Sequence, residues 1–96
     1  LGLALAPIGN AVREEFGLTE EAEGVVVTKV DPGSDAAEKQ IRPGNVIVEV
    51  NQEKVSSPDD IAKQIDTVKG EGKKSVLMLV NQNGSLRFVV VKLKQG

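Results

Sequence analysis

The 96-residue chain contains no histidine, cysteine, tryptophan or tyrosine, and only two phenylalanines, Phe16 and Phe88. Without histidine it has no imidazole base, no Ser-His-Asp triad and no histidine-ligated metal. Without cysteine it has no thiol nucleophile, zinc ribbon or disulfide, and cysteine usage says nothing about redox compartment. No apolar run approaches the ~18 residues of a membrane-spanning helix, and the first residues lack the basic segment of a signal peptide. Positive charge is not in excess either: 12 Lys and Arg against 14 Asp and Glu leave a formal net charge of −2. With so few aromatics to stack on bases, nucleic acid is a poor partner. The expectation is a chain that catalyses nothing itself and holds no cofactor and no metal.

What is present is branched aliphatic: 15 Val, 8 Leu and 5 Ile. Val is stiff at χ1 and fits a pleated surface, so the composition favours sheet over helix. Leu1 to Leu5 form a short apolar run closed by Ala6 and Pro7, since proline cannot donate to a continuing ladder. Asn10 is placed to cap a short helix over 11–16, with Gly17 as its stop. A polar link over 18–23 leads to a strand over 24–30, whose consecutive Val25, Val26 and Val27 imply burial on both faces. Asp31-Pro32-Gly33-Ser34 reads as a turn with glycine free to take positive φ. A helical turn over 35–39 follows, with Asp35 and Glu38 in capping-box spacing, and then a strand over 46–51 with Glu49 facing out.

The strongest helical signal lies over 57–69. Ser57 is a good N-cap, Pro58 suits the first helical position, Asp59 and Asp60 fill the positive first turn, and Lys69-Gly70 closes it. Ile61, Ile65 and Val68 form one apolar stripe with Ala62 on its shoulder. Two final strands, 75–80 and 86–93, are joined through Asn81-Gln82-Asn83-Gly84, where Asn-Gly is a hairpin signal. The expected fold class is α+β, mainly β: a small antiparallel sheet or partly open barrel with two or three helices packed on it.

Three motifs that resemble catalytic or modification sites have plainer explanations. Gly72-Lys73-Lys74-Ser75 looks like the end of a phosphate-binding loop, but Thr67 stands where the leading glycine belongs, and the order is helix then strand. The carboxylate pairs Glu14-Glu15, Glu20-Glu21 and Asp59-Asp60 have adjacent residues that point apart on a helix, and none has calcium-loop spacing. Asn83-Gly84-Ser85 matches a glycosylation sequon that the hairpin turn accounts for. The opening run is more informative. A glycine inside an apolar strand entry, Leu1-Gly2-Leu3, is where consecutive free N–H groups form a nest able to hold a carboxylate. Were the 57–69 helix to pack beside the strand over 3–8, Ile61, Ala62 and Ile65 would line an apolar groove ending at that nest. The plainer alternative makes those isoleucines core.

These residues together resemble the PDZ family in the permuted strand order found in bacteria. Leu1-Gly2-Leu3 is similar to the end of the family's Gly-Leu-Gly-Phe carboxylate-binding loop, whose leading glycine falls ahead of Leu1. Gly24-Val25-Val26-Val27, the stretch from Asp31 to Glu38, and Ile41-Arg42-Pro43-Gly44-Asn45-Val46-Ile47 resemble its "GVVV", "GSPAAEAGL" and "L.PGDVI" segments, and the last is specific. Val55 to Ile61 is similar to the entry into the groove helix, and the likeness extends from Leu1 to Leu93. In particular, the chain resembles the second, C-terminal PDZ of Do-like (HtrA/DegP/DegQ) periplasmic serine proteases, in which a short helix also follows the first strand. Gln40 replaces the usual glycine and Asn45 the usual aspartate. Gln40 must therefore either take a left-handed conformation, at a cost of about 1 kcal/mol, or alter its turn.

The resemblance implies a single PDZ domain over 1–96, excised from a longer protein, with five to six strands in a partly open barrel or sandwich. It implies a peptide-binding module acting by strand addition, with Leu1, Gly2, Leu3, Ala4, Leu5, Pro58, Ile61, Ala62 and Ile65 as the peptide-binding residues. Expected partners are peptides or unfolded segments with apolar C-termini, and other subunits or domains of the parent protease; no membrane span and no nucleic acid are expected. Pro58 stands where signalling members carry a histidine that reads Ser or Thr, so that specificity should be missing. The implied parent is a periplasmic serine endoprotease whose triad lies upstream. Alternatives are an oligomer-assembly role in that protease, or an intramembrane metalloprotease or C-terminal processing protease as parent.

Overall fold

The computed structural model describes residues 2–18, 23–82 and 84–93. Leu1, Asn83, the pair Glu20-Glu21 and most of the polar link over 18–23 lie outside them. Among the described residues the chain runs β1 (Leu3–Pro7), α1 (Asn10–Phe16), β2 (Val25–Val30), α2 (Asp35–Glu38), β3 (Val46–Val50), β4 (Glu53–Lys54), α3 (Pro58–Gly70), β5 (Ser75–Gln82) and β6 (Ser85–Lys92). The strands form one antiparallel sheet in the order β1-β2-β3-β5-β6, with β4 paired to β3. The sheet does not close, so β1 and β6 are its two edges. The expected α+β, mainly β architecture is the one observed.

The core is the aliphatic set that the composition announced. Val25, Val27, Ile41, Ile47, Val50, Ile61, Val68, Met78, Val80 and Val91 are buried in one cluster, with Leu3, Leu5, Val30 and Ile65 half-buried against it. Val25, Val26 and Val27 are all buried, as the unbroken valine run implies for a strand covered on both faces. Next to them Gly24 has φ 130, and a Cβ there would run into the Ile47 carbonyl oxygen, so only glycine admits this approach of β2 to β3.

Several local details differ from expectation. Asn10 does not cap α1: it is the first helical residue, the N-cap is Gly9 in an extended conformation, and Arg13 N–H donates to the Gly9 carbonyl. Gly17 does end that helix, at φ 65. The cap of α2 is Ser34 rather than Asp35. Ser34 Oγ accepts from Ala37 N–H and donates to the Asp31 carbonyl, while the Asp35 carboxylate instead accepts Lys92 N–H from β6. Gly33 does not use its left-handed freedom, whereas Gln40 does, at φ 67. The last hairpin is longer than expected, with Gln82 opposite Ser85. β4 had no sequence signal: it is two residues long, and Asn51 and Gln52 turn the chain into it at φ 55 and 66. Both central residues at positive φ make this the turn that matches strand twist, usually built with glycine.

Candidate functional site

β1 is an edge strand with β2 on one side, and its open side carries the site. The Gly2 carbonyl accepts Asp31 N–H at 2.8 Å, which turns it towards β2. Strand alternation then aims the main-chain groups of Leu3, Leu5 and Pro7 outward and those of Ala4 and Ala6 inward. Thr28 Oγ1 donates to the Ala4 carbonyl from the β2 side, consistent with that alternation. Pro7 therefore puts its missing N–H where a ladder would continue, the position a proline tolerates on an edge. The side chains alternate as well: Leu3 and Leu5 pack half-buried against the core while Ala4 is exposed on the other face. Of the expected β1 residues, Ala4 thus offers neither a side chain to the groove nor an outward main-chain group.

Gly2 is held at φ 75, and a Cβ there would sit 2.6 Å from Ser34 Cβ and 3.3 Å from Asp31 Cβ. The Asp31-Pro32-Gly33-Ser34 turn is thus a wall behind the strand entry. The turn was legible in the sequence, but its position against Gly2 was not. Leu1, expected in the nest and among the peptide-binding residues, lies outside the described residues.

α3 packs on β1, β3 and β5 and forms the other side. Ser57 Oγ accepts Asp60 N–H at its N-terminus, as expected of the cap, and the Asp60 carboxylate reaches back to Ser56 N–H at 2.9 Å and Ser56 Oγ at 3.1 Å. The Ser56 N–H bond first, then the Ser56 hydroxyl, holds the Asp60 carboxyl below its ordinary pKa. Along the helix the expected lining residues divide. Ile61 is 1 % exposed and belongs to the core together with Val68, so its expected place on the groove surface is corrected to a supporting one. Pro58, Ala62 and Ile65 are spaced at i, i+4 and i+7, a separate row along one side. Pro58 and Ile65 are half-buried and Ala62 is exposed. That row, with Leu3 and Leu5, forms the candidate site.

Among the described residues no cluster of acidic side chains could hold a metal ion, and no helix is long and apolar enough to cross a membrane. The family model of the PDZ domain matches residues 2–82. The chain belongs to the PDZ family. This PDZ domain is 44 % identical over 86 residues to a probable periplasmic serine endoprotease, DegP-like, of Brucella suis, a match covering 85 % of the chain and 17 % of that protein. It is 35 % identical over 92 residues to the protein of the same name from Rhizobium meliloti, covering 92 % and 18 %. The PDZ domain here thus spans about a sixth of the length of these curated relatives. Among solved structures it is similar to the HtrA3 PDZ domain bound to a phage-derived ligand (FGRWV), with a TM-score of 0.77, 20 % identity and coverage of 96 % and 81 %. The HtrA-type protease AlgW with a decapeptide has the same TM-score at 23 % identity, covering 96 % and 27 %. At those identities the likeness is one of fold.

Proposed function

We propose that this PDZ domain binds extended, apolar-ended peptide segments by adding them as a strand antiparallel to β1. One observation carries the reading: an open edge whose outward groups lie at Leu3 and Leu5, flanked by the Pro58-Ala62-Ile65 row of α3. The peptide's C-terminal carboxylate sits at the N–H groups around Leu1, Gly2 and Leu3, where glycine keeps the backbone accessible. Its last side chain enters between Leu3, Leu5 and Ile65, a lining of aliphatic groups that favours Val, Leu, Ile or Ala. That two solved relatives of the same fold hold peptides supports this reading. The relatives named probable periplasmic serine endoproteases support a parent of that kind, in which the domain serves substrate recognition or regulation. The chain itself performs no catalysis.

Fluorescence-polarisation titration with two peptides ending in Val, one with a free carboxylate and one amidated, tests the reading. Binding of the first and loss on amidation are expected. Ile65→Lys should abolish binding while leaving the circular dichroism nearly unchanged, and wild-type affinity in the folded variant would remove the groove assignment.

A second reading, in which the domain joins copies of the parent, is favoured by the opposite edge. On β6, Leu86, Phe88 and Val90 are 62 %, 63 % and 51 % exposed. Alternation places all three side chains on one face.

A further inference from the structure

A cavity of about 450 Å³ opens where β1 ends, lined by Pro7, Ile8, Arg13, Glu23, Gly24, Val48, Lys54, Val55 and Ser56. None of the expected peptide-binding residues lines it, yet it continues the same groove. Pro7 and Ile8 are the exit of β1, and Val55 and Ser56 lead directly into the cap of α3, so the cavity lies at the far mouth of the β1–α3 cleft. We infer that it is a second side-chain pocket for the bound segment, accepting a bulky apolar residue at the fifth place from the peptide's C-terminus. The inference rests on the strand-addition reading above.

Register assigns the position. A segment running antiparallel to β1 with its last residue beside Leu3 places the residue four before it beside Pro7, about 13 Å along the strand. Side chains alternate, so the first, third and fifth residues from the end share one face, the face that meets α3. The fifth residue therefore arrives at Pro7 on the side where Val55 and Ser56 stand. The cavity's size is that of clefts which take small organic groups, roughly 300–1,000 Å³. Pro7, Ile8, Val48 and Val55 supply apolar walls. Burying an unpaired ammonium or guanidinium against those walls is costly, so a lysine or arginine is disfavoured at the fifth place. Because Pro7 has no N–H to donate, its main chain offers only a carbonyl here, and selectivity at this point comes from the side chain.

The test titrates the 96-residue chain with eight-residue fluorescent peptides that share a free C-terminal Val and differ only at the fifth place from the end: Phe, Ser or Lys. Burying the phenyl group should tighten the Phe peptide roughly tenfold over the Ser peptide, and the Lys peptide should be the weakest. Ile8→Ser should reduce the Phe-over-Ser ratio to about twofold or less, without changing the affinity of the Ser peptide. Equal affinities for all three peptides would overturn the second pocket and leave the strand-addition reading intact. No binding by any of them would overturn both. An Ile8→Ser variant that keeps the full Phe preference would also overturn the pocket, and because Phe and Ser differ in the peptide alone, that comparison needs no protein variant.

Discussion

Gln40 is held at φ 67, where an L side chain costs of order 1 kcal/mol or more. Its carbonyl accepts from Gln82 Nε2, a main-chain acceptor that any residue retains. Gln40→Gly should therefore raise stability by about 1 kcal/mol, or a melting temperature roughly 4–8 °C higher, as read by thermal unfolding. An unchanged or lower midpoint would mean that the Gln40 side chain offsets its own strain. This position was legible in the sequence because a family pattern with glycine makes the departure visible. Gly2 was legible as a glycine, but the reason no other residue fits, the Ser34 side chain 2.6 Å from its missing Cβ, depends on a turn 32 residues later. Ile61 and Ala62 show a further limit. Both lie near one helical stripe in the sequence, and only the packing of the helix on the sheet decides which is core and which stays exposed.

At the scale of elements, α3 is the best-specified part of the chain. Its cap, its proline and its acidic first turn all agree, and each was read from adjacent residues. The shorter helices were found with caps displaced by one residue. Gly9 and Ser34 can both cap, and nothing local ranks them against Asn10 and Asp35 once Asp35 is drawn to Lys92 N–H by the tertiary fold. A two-residue strand such as β4 has no period to detect. The Asp60–Ser56 bonds make the start of α3 sensitive to pH. A carboxyl whose pKa is lowered on folding adds stability above its ordinary value and loses it as the pH falls through the lowered one. Asp60→Asn should therefore reduce the urea midpoint at pH 7, and the gap to wild type should close below pH about 4. A gap that stays constant down to pH 2.5 would show that the bonds to Ser56 do not depend on the charge.

The whole molecule is a sheet with two dissimilar edges. One is β1, which has a helix beside it and a proline at its end. The other is β6, where Asp35 occupies Lys92 N–H while Leu86, Phe88 and Val90 stay uncovered. An open edge with apolar side chains is where a sheet pairs with another chain. If β6 joins copies, sedimentation velocity over a concentration series should show wild type associating, and Phe88→Glu should remain monomeric at every loading. Wild type that is monomeric throughout would leave β6 without that role. The order of the sheet was only partly legible, because edges are set by strands far apart in sequence. For a peptide laid along β1, the placement of Pro7 is finally a matter of time. Leu3 and Leu5 offer two residues' worth of main-chain bonds at about 1 kcal/mol each, and the ladder then stops. For a weak complex, a Kd of about 10 μM with association near 10⁶ M⁻¹s⁻¹ corresponds to departure about ten times a second. On the strand-addition reading proposed above, such a domain samples chain ends and lets them go, and a ligand is retained only when something further along it is held as well.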